Sequence, residues 1–142
     1  MKIEVFQPEH LERLRLQPAQ AQFGAEFLKP DYADMLRAGP AFTALHGEAV
    51  LACAGVVEVW AGRALAWALI AEDAGRHMLG IHRAVSGFLM QAPYRRIEAT
   101  VDDGFEAGHR WLRLMGFVLE TPNGMRNFNP SGRDGFLYSR VT

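Results

Sequence analysis

HRWLRLMGF, residues 109–117, decides how the rest of the chain is read. With Phe105 and Gly108 just before it, Leu112 and Met115 form an apolar stripe at helical spacing, and Gly116 ends that stripe. Phe117 opens FVLE, which is extended in character, so a helix runs into a strand with almost no loop. Immediately upstream, RRIEATVDD (95–103) alternates, with Ile97, Ala99 and Val101 on one face of a strand. Downstream, a polar loop at 121–135 leads to a last strand, FLYSRV (136–141).

Farther back, AEDAGRHMLGIHRAVSGFLMQAP (71–93) places Met78, Ile81, Val85 and Phe88 on one helical face, ended before Pro93. AFTALHGEAVLACAGVVEVW (41–60) reads as two strands joined at HGE, and the turn at 61–62 leads into a third, RALAWALIAED. Gly55 inside the second strand predicts a bulge or a close backbone approach. KIEVF (2–6) alternates Ile3 and Val5 against Lys2 and Glu4, a half-buried strand. A short amphipathic helix with Leu11, Leu14 and Leu16 follows over about residues 8–17. AQAQFGAEFL (19–28) and DYADMLRAG (31–39) predict further short helices, the second with Asp31 as N-cap and Gly39 as stop. The order is strand, helices, three antiparallel strands, helix, strand, helix, strand, strand. The strand-helix-strand unit after Ala64 requires parallel neighbours, so the sheet is mixed.

The chain has 142 residues, the size of one ordinary domain spanning 1–142. Fifteen Lys and Arg against sixteen Asp and Glu give a formal net charge of −1, so no global field draws it to nucleic acid or membrane. A partner must be recognised by a local site. Cys53 is the only cysteine, which excludes an internal disulfide and a Cys-based zinc site and fits a reducing cytoplasm. No apolar run is long enough for a membrane span. His82, Arg83 and His109 lack zinc-ligand spacing, so no metal is expected.

The element order, with the join RWLRLMGFVLE (110–120) and the closing segment MRNFNPSGRDGFLYSRV (125–141), resembles the GCN5-related N-acetyltransferase (GNAT) superfamily. Within it the chain looks closest to compact acetyltransferase-like proteins of bacteriophages and their hosts. The resemblance implies an α/β (α+β) fold: a mixed, mostly antiparallel central sheet with a splayed parallel pair and flanking helices. It also implies acetyl-CoA as co-substrate and an amine acceptor, which the sequence does not identify. Backbone groups of Leu69, Ile70 and Ala71 at the splay would pair with the pantetheine amides. The diphosphate would lie at the start of the next helix, within DAGRHMLG (73–80), over Gly75, Arg76, His77, Met78, Leu79 and Gly80.

The chain departs from the family at two points. The signature of Gln or Arg, two residues, Gly, one residue, then Gly or Ala is met by HMLGIH (77–82) only at Gly80. The family's proton-donating Tyr falls at Leu112, and its Asn falls at about Phe105. That leaves Glu72 and Asp73 as base candidates and Tyr138 as a substitute donor. Each has an ordinary reading as well: a solvated turn, a helix cap and a packed aromatic. Glu58 and Glu98 sit in apolar strands, each either pointing to solvent by alternation or lying in the cleft as a perturbed acid, and Trp60, Trp67 and Trp111 read as core or rim aromatics. The resulting function is acetyl transfer to a primary amine by direct attack. Its rivals are a catalytically degenerate GNAT-fold binding module and a structural homodimer with a packed cleft.

Overall fold

The computed structural model describes residues 1–27 and 29–142. Seven strands form one mixed sheet in the order β1-β2-β3-β4-β5-β7-β6. They are β1 Lys2–Val5, β2 Ala41–His46, β3 Ala49–Trp60, β4 Arg63–Ile70, β5 Arg96–Asp102, β6 Val118–Leu119 and β7 Gly135–Val141. The helices are α1 Glu9–Arg13, α2 Gly24–Phe27, α3 Pro30–Arg37, α4 Met78–Gln91 and α5 Glu106–Leu114. Two 3-10 turns, Pro18–Phe23 and Gly75–His77, precede α2 and α4. The chain divides into two compact units, Met1–Val57 with Trp67–Ala92, and Glu58–Ala66 with Pro93–Thr142. This is the α+β architecture expected: a mostly antiparallel sheet with one parallel pair and flanking helices.

In the first unit, Phe6, Leu11, Leu36, Leu45, Val50, Cys53 and Leu69 form a buried cluster. Ile3 and Val5 do not join it. β1 is an edge strand paired only with β2, and its anchor is Phe6, one residue past its end. The first helix is also shorter than its leucine spacing suggests. It stops at Arg13 because Leu16 instead forms an antiparallel bridge with Ala71, just beyond β4. Asp31 lies in the first turn of α3 behind Pro30, and Lys29 is the N-cap. Leu28, the end of the expected 19–28 helix, lies outside the described residues. Gly55 marks a close approach: a Cβ there would sit 2.6 Å from the Pro40 carbonyl oxygen. The register irregularity lies elsewhere, between Ala44 and Leu45. α4 buries Ile81, Val85 and Leu89, while Met78 and Phe88 are only half buried.

In the second unit, the start of β4 pairs in parallel with β5, from Arg63↔Arg96 to Leu65↔Glu98. β7 pairs with β5 along seven residues and with β6 at Val118 and Leu119. The end of α5 explains the opening motif. Gly116, at φ +88°, lets its own N–H bond the Arg113 carbonyl at 3.0 Å and lets Phe117 N–H bond that of Leu112 at 3.0 Å. This pair of hydrogen bonds is a Schellman stop, and its apolar partners are Leu112 and Phe117, both buried. Gly-Phe therefore closes the helix and anchors the next strand in one step.

Candidate active site

The expected phosphate end is built on the first unit. After Ile70 the chain turns through Glu72 and Asp73, both exposed, into the 3-10 turn and then α4. The N-cap residue His77 makes no side-chain cap to α4, though the Met78 N–H bonds the Gly75 carbonyl of the preceding 3-10 turn, and the positive end of the helix dipole favours an anion there. Arg76 is exposed beside this start. His77 stacks on His46 of the β2–β3 turn, ring centroids 4.8 Å apart. Its pKa is lowered, first by burial and then by the positive neighbours His46 and Arg76. His46 carried no signal in the sequence; the register of the β2–β3 turn places it there. Gly75 is exposed, and Gly80 lies against the Met1 side chain.

The expected pantetheine end is different. Ala71 N–H bonds the Leu51 carbonyl on the β3 side at 2.8 Å, so Ile70 and Glu72 present their backbone groups to the opposite edge of β4. That edge is paired by the chain itself. Gln17 N–H donates to the Ile70 carbonyl at 3.0 Å, and Glu72 N–H donates to the Arg15 carbonyl at 2.8 Å. The Gln20 side chain completes the pairing. Its Oε1 accepts Ile70 N–H at 2.9 Å, and its Nε2 donates to the Ala68 carbonyl at 2.8 Å. Gln17 Nε2 also donates to Gln20 Oε1 at 3.0 Å, fixing which way that amide faces. Residues 15–20, unremarked in the sequence beyond their place in a helix, thus stand where an open strand edge was expected.

Elsewhere in this unit a buried polar chain carries Cys53. Gln7 N–H donates to His10 Nδ1 at 3.1 Å, so that nitrogen is an acceptor and also accepts a hydrogen bond from the Thr43 hydroxyl at 2.8 Å. Thr43 Oγ1 in turn lies 3.6 Å from Cys53 Sγ, and burial pushes the thiol pKa up to about 11. The thiol is inert in this state. Trp67 packs against this core, edge-on to Phe6, and its indole N–H has no hydrogen-bond partner among the described residues.

The expected donors lie in the second unit. Phe105 is the N-cap residue of α5, and Leu112 is buried in that helix. Tyr138 is fully buried with its hydroxyl 2.7 Å from His109 Nδ1. His109 Nε2 faces the Asp102 carbonyl at 3.3 Å, which can only accept. The proton is therefore on Nε2, and Tyr138 donates its own proton inward to Nδ1. Glu98 does not point to solvent: it is 6% exposed and carries two arginines. Arg63 binds it bidentately at 2.6 and 3.0 Å, and Arg96 Nε at 2.7 Å. Arg96 also grips Glu120 at 2.6 and 2.7 Å, and Ser139 Oγ donates to the same Glu120. Trp60 is exposed and stacks on the Arg63 guanidinium, while Glu58 is exposed and Trp111 half buried. Among the described residues no three His, Cys, Asp or Glu are grouped to hold a metal, and no helix is long and apolar enough to cross a membrane.

No family model and no curated protein sequence matches the chain. Solved structures do. Ard1 from Thermoplasma volcanium superposes with a TM-score of 0.75 at 14% identity, over 99% of this chain and 97% of its own. A GNAT-family acetyltransferase from Bacillus anthracis gives 0.65 at 10%, over 98% and 93%. yncA from Salmonella typhimurium, solved with its cofactor acetyl-CoA, gives 0.69 at 12%, over 99% and 93%. At such identities the likeness is one of fold, and it spans both units of the chain. The chain has the fold of the GNAT acetyltransferases.

Proposed function

We propose that this protein is an acetyl-CoA-dependent N-acetyltransferase that moves acetyl to a primary amine by direct attack. The observation that carries the reading is the start of α4: a helix end without a side-chain cap, flanked by Arg76 and the His46–His77 pair, where this fold would meet a diphosphate. Transfer needs a neutral amine placed against the thioester carbonyl. Nitrogen bonds to carbon, the carbon–sulfur bond breaks, the amine proton passes to a base, and the thiolate takes a proton. Glu72 and Asp73, exposed beyond the end of β4, are the base candidates. The buried, engaged hydroxyl of Tyr138 leaves the thiolate to be protonated from water.

Calorimetric titration with acetyl-CoA and, separately, CoA tests the reading without the acceptor. Micromolar binding that weakens at least tenfold in an Arg76→Ala, His77→Ala double variant supports it. No binding to folded protein at millimolar ligand removes it in favour of the degenerate binding module. That second reading rests on the occupied edge of β4 and on Leu112, which holds the helix stop where a donor would stand.

A further inference from the structure

The edge of β4 at residues 68–72 is occupied by neutral amide groups, and their arrangement is that of an added strand. Gln17 N–H and the Arg15 carbonyl make the two bonds of an antiparallel pair around Leu16↔Ala71. Gln20 extends the pair by imitation. One carboxamide supplies an acceptor to Ile70 N–H and a donor to the Ala68 carbonyl, the two groups a secondary amide on a neighbouring strand would satisfy. Pro18 then ends the pairing, because it has no N–H and starts the 3-10 turn. The segment is a single bridge held at the edge, short enough to leave without dismantling the sheet.

We propose that residues 15–20 are an intramolecular strap that mimics the pantetheine arm of CoA and must be displaced for CoA to bind. The inference rests on the acetyl-CoA reading above. A pantetheine arm carries two secondary amides, so exchanging the strap for it replaces amide bonds with amide bonds at little net change in hydrogen bonding. The strap therefore lowers apparent CoA affinity by the fraction of molecules in which it is docked, and leaves the phosphate end untouched.

Two variants loosen it by different means. Gln17→Pro deletes the donor to the Ile70 carbonyl, and the native Gln17 φ of −59° already suits proline. Gln20→Ala deletes both side-chain bonds to β4. Titrating wild type and each variant with CoA and with adenosine 3′,5′-bisphosphate, which lacks the pantetheine arm, separates the two ends of the ligand. CoA binding is expected to tighten on the order of fivefold in each variant, with bisphosphate binding unchanged. In wild type, CoA is expected to speed hydrogen exchange at the Gln17 amide. CoA binding that is unchanged or weaker in both variants, or a Gln17 amide that gains protection, overturns the strap and leaves the acetyl-CoA reading standing. Absence of binding by both ligands to all three folded proteins overturns that reading and the strap with it.

Discussion

The two halves of β4 are held by opposite chemistry. At residues 63–65 the strand lies in a charged lattice: Arg63 and Arg96 clasp Glu98, and Arg96 and Ser139 clasp Glu120. At residues 68–72 the edge facing away from β3 is paired with neutral amides of residues 15–20: the backbone of Arg15 and Gln17 and the side chain of Gln20. Charges of fixed geometry resist exchange, since an incoming group would have to match both shape and sign. Neutral amides can be exchanged for other amides. One strand therefore combines a permanent clamp with a replaceable contact, and the replaceable half adjoins the turn that leads to α4.

Breaking the clamp has the largest expected effect. Glu98→Ala leaves two guanidinium groups facing each other without their shared carboxylate. Because Glu98 is buried but both arginines are about a third exposed, the loss is about 2 kcal/mol, below that of a fully buried triad. Urea unfolding measures it. Raising the salt to about 1 M should narrow the gap between variant and wild type, since the Debye length falls to about 3 Å. A gap that salt does not move would mean that Glu98 acts through packing alone.

Tyr138→Phe is next, at about 1.5 kcal/mol, because it strands the buried Nδ1 of His109 while keeping the ring. A loss of that size with CoA binding unaltered would confirm a structural hydroxyl. A change in acetyl-transfer rate at normal CoA affinity would return Tyr138 to the chemistry.

Of the two halves of β4, acid reaches only the clamp. The Arg63 and Arg96 hydrogen bonds hold Glu98 below the usual carboxylate range, and those from Arg96 and Ser139 hold Glu120 down at about 2. A depressed folded pKa stabilises fully above the unfolded value of about 4.3, and the contribution is lost as pH falls from about 5 toward 2. Unfolding scans across that window should show falling stability in wild type and a shallower slope in Glu120→Gln. An equal slope in both would show that the acid sensitivity comes from other carboxylates.

The second unit was the more legible in sequence. Leu112, Gly116 and Phe117 encode a helix stop by local rules, and the alternation of Ile97 and Val101 places β5. Glu98 was misread because alternation reports which face a residue is on, not whether two arginines, one of them 35 residues away, cover that face. The start of α4 was read from its neighbours in sequence, yet His46 entered only through the pairing of β2 with β3. Residues 15–20 were the hardest. Leu14 and Leu16 look helical, and only a non-local bridge to Ala71 makes them extended. Glutamine has no periodicity that announces a side chain acting as backbone.

The smallest expected effect tests the replaceable half of β4. Gln20→Ala removes two hydrogen bonds to β4 backbone groups, those of half-buried Ala68 and buried Ile70. The expected loss of stability is about 1 kcal/mol. Because no charge is involved, that loss should be the same at low and high salt and from pH 3 to pH 8. The contrast with Glu98→Ala is then qualitative as well as graded: one loss shrinks with salt and acid, the other does not. A Gln20→Ala loss larger than that of Glu98→Ala would reverse the comparison. It would make residues 15–20 a fixed part of the fold, and CoA could not displace them without unfolding the first unit.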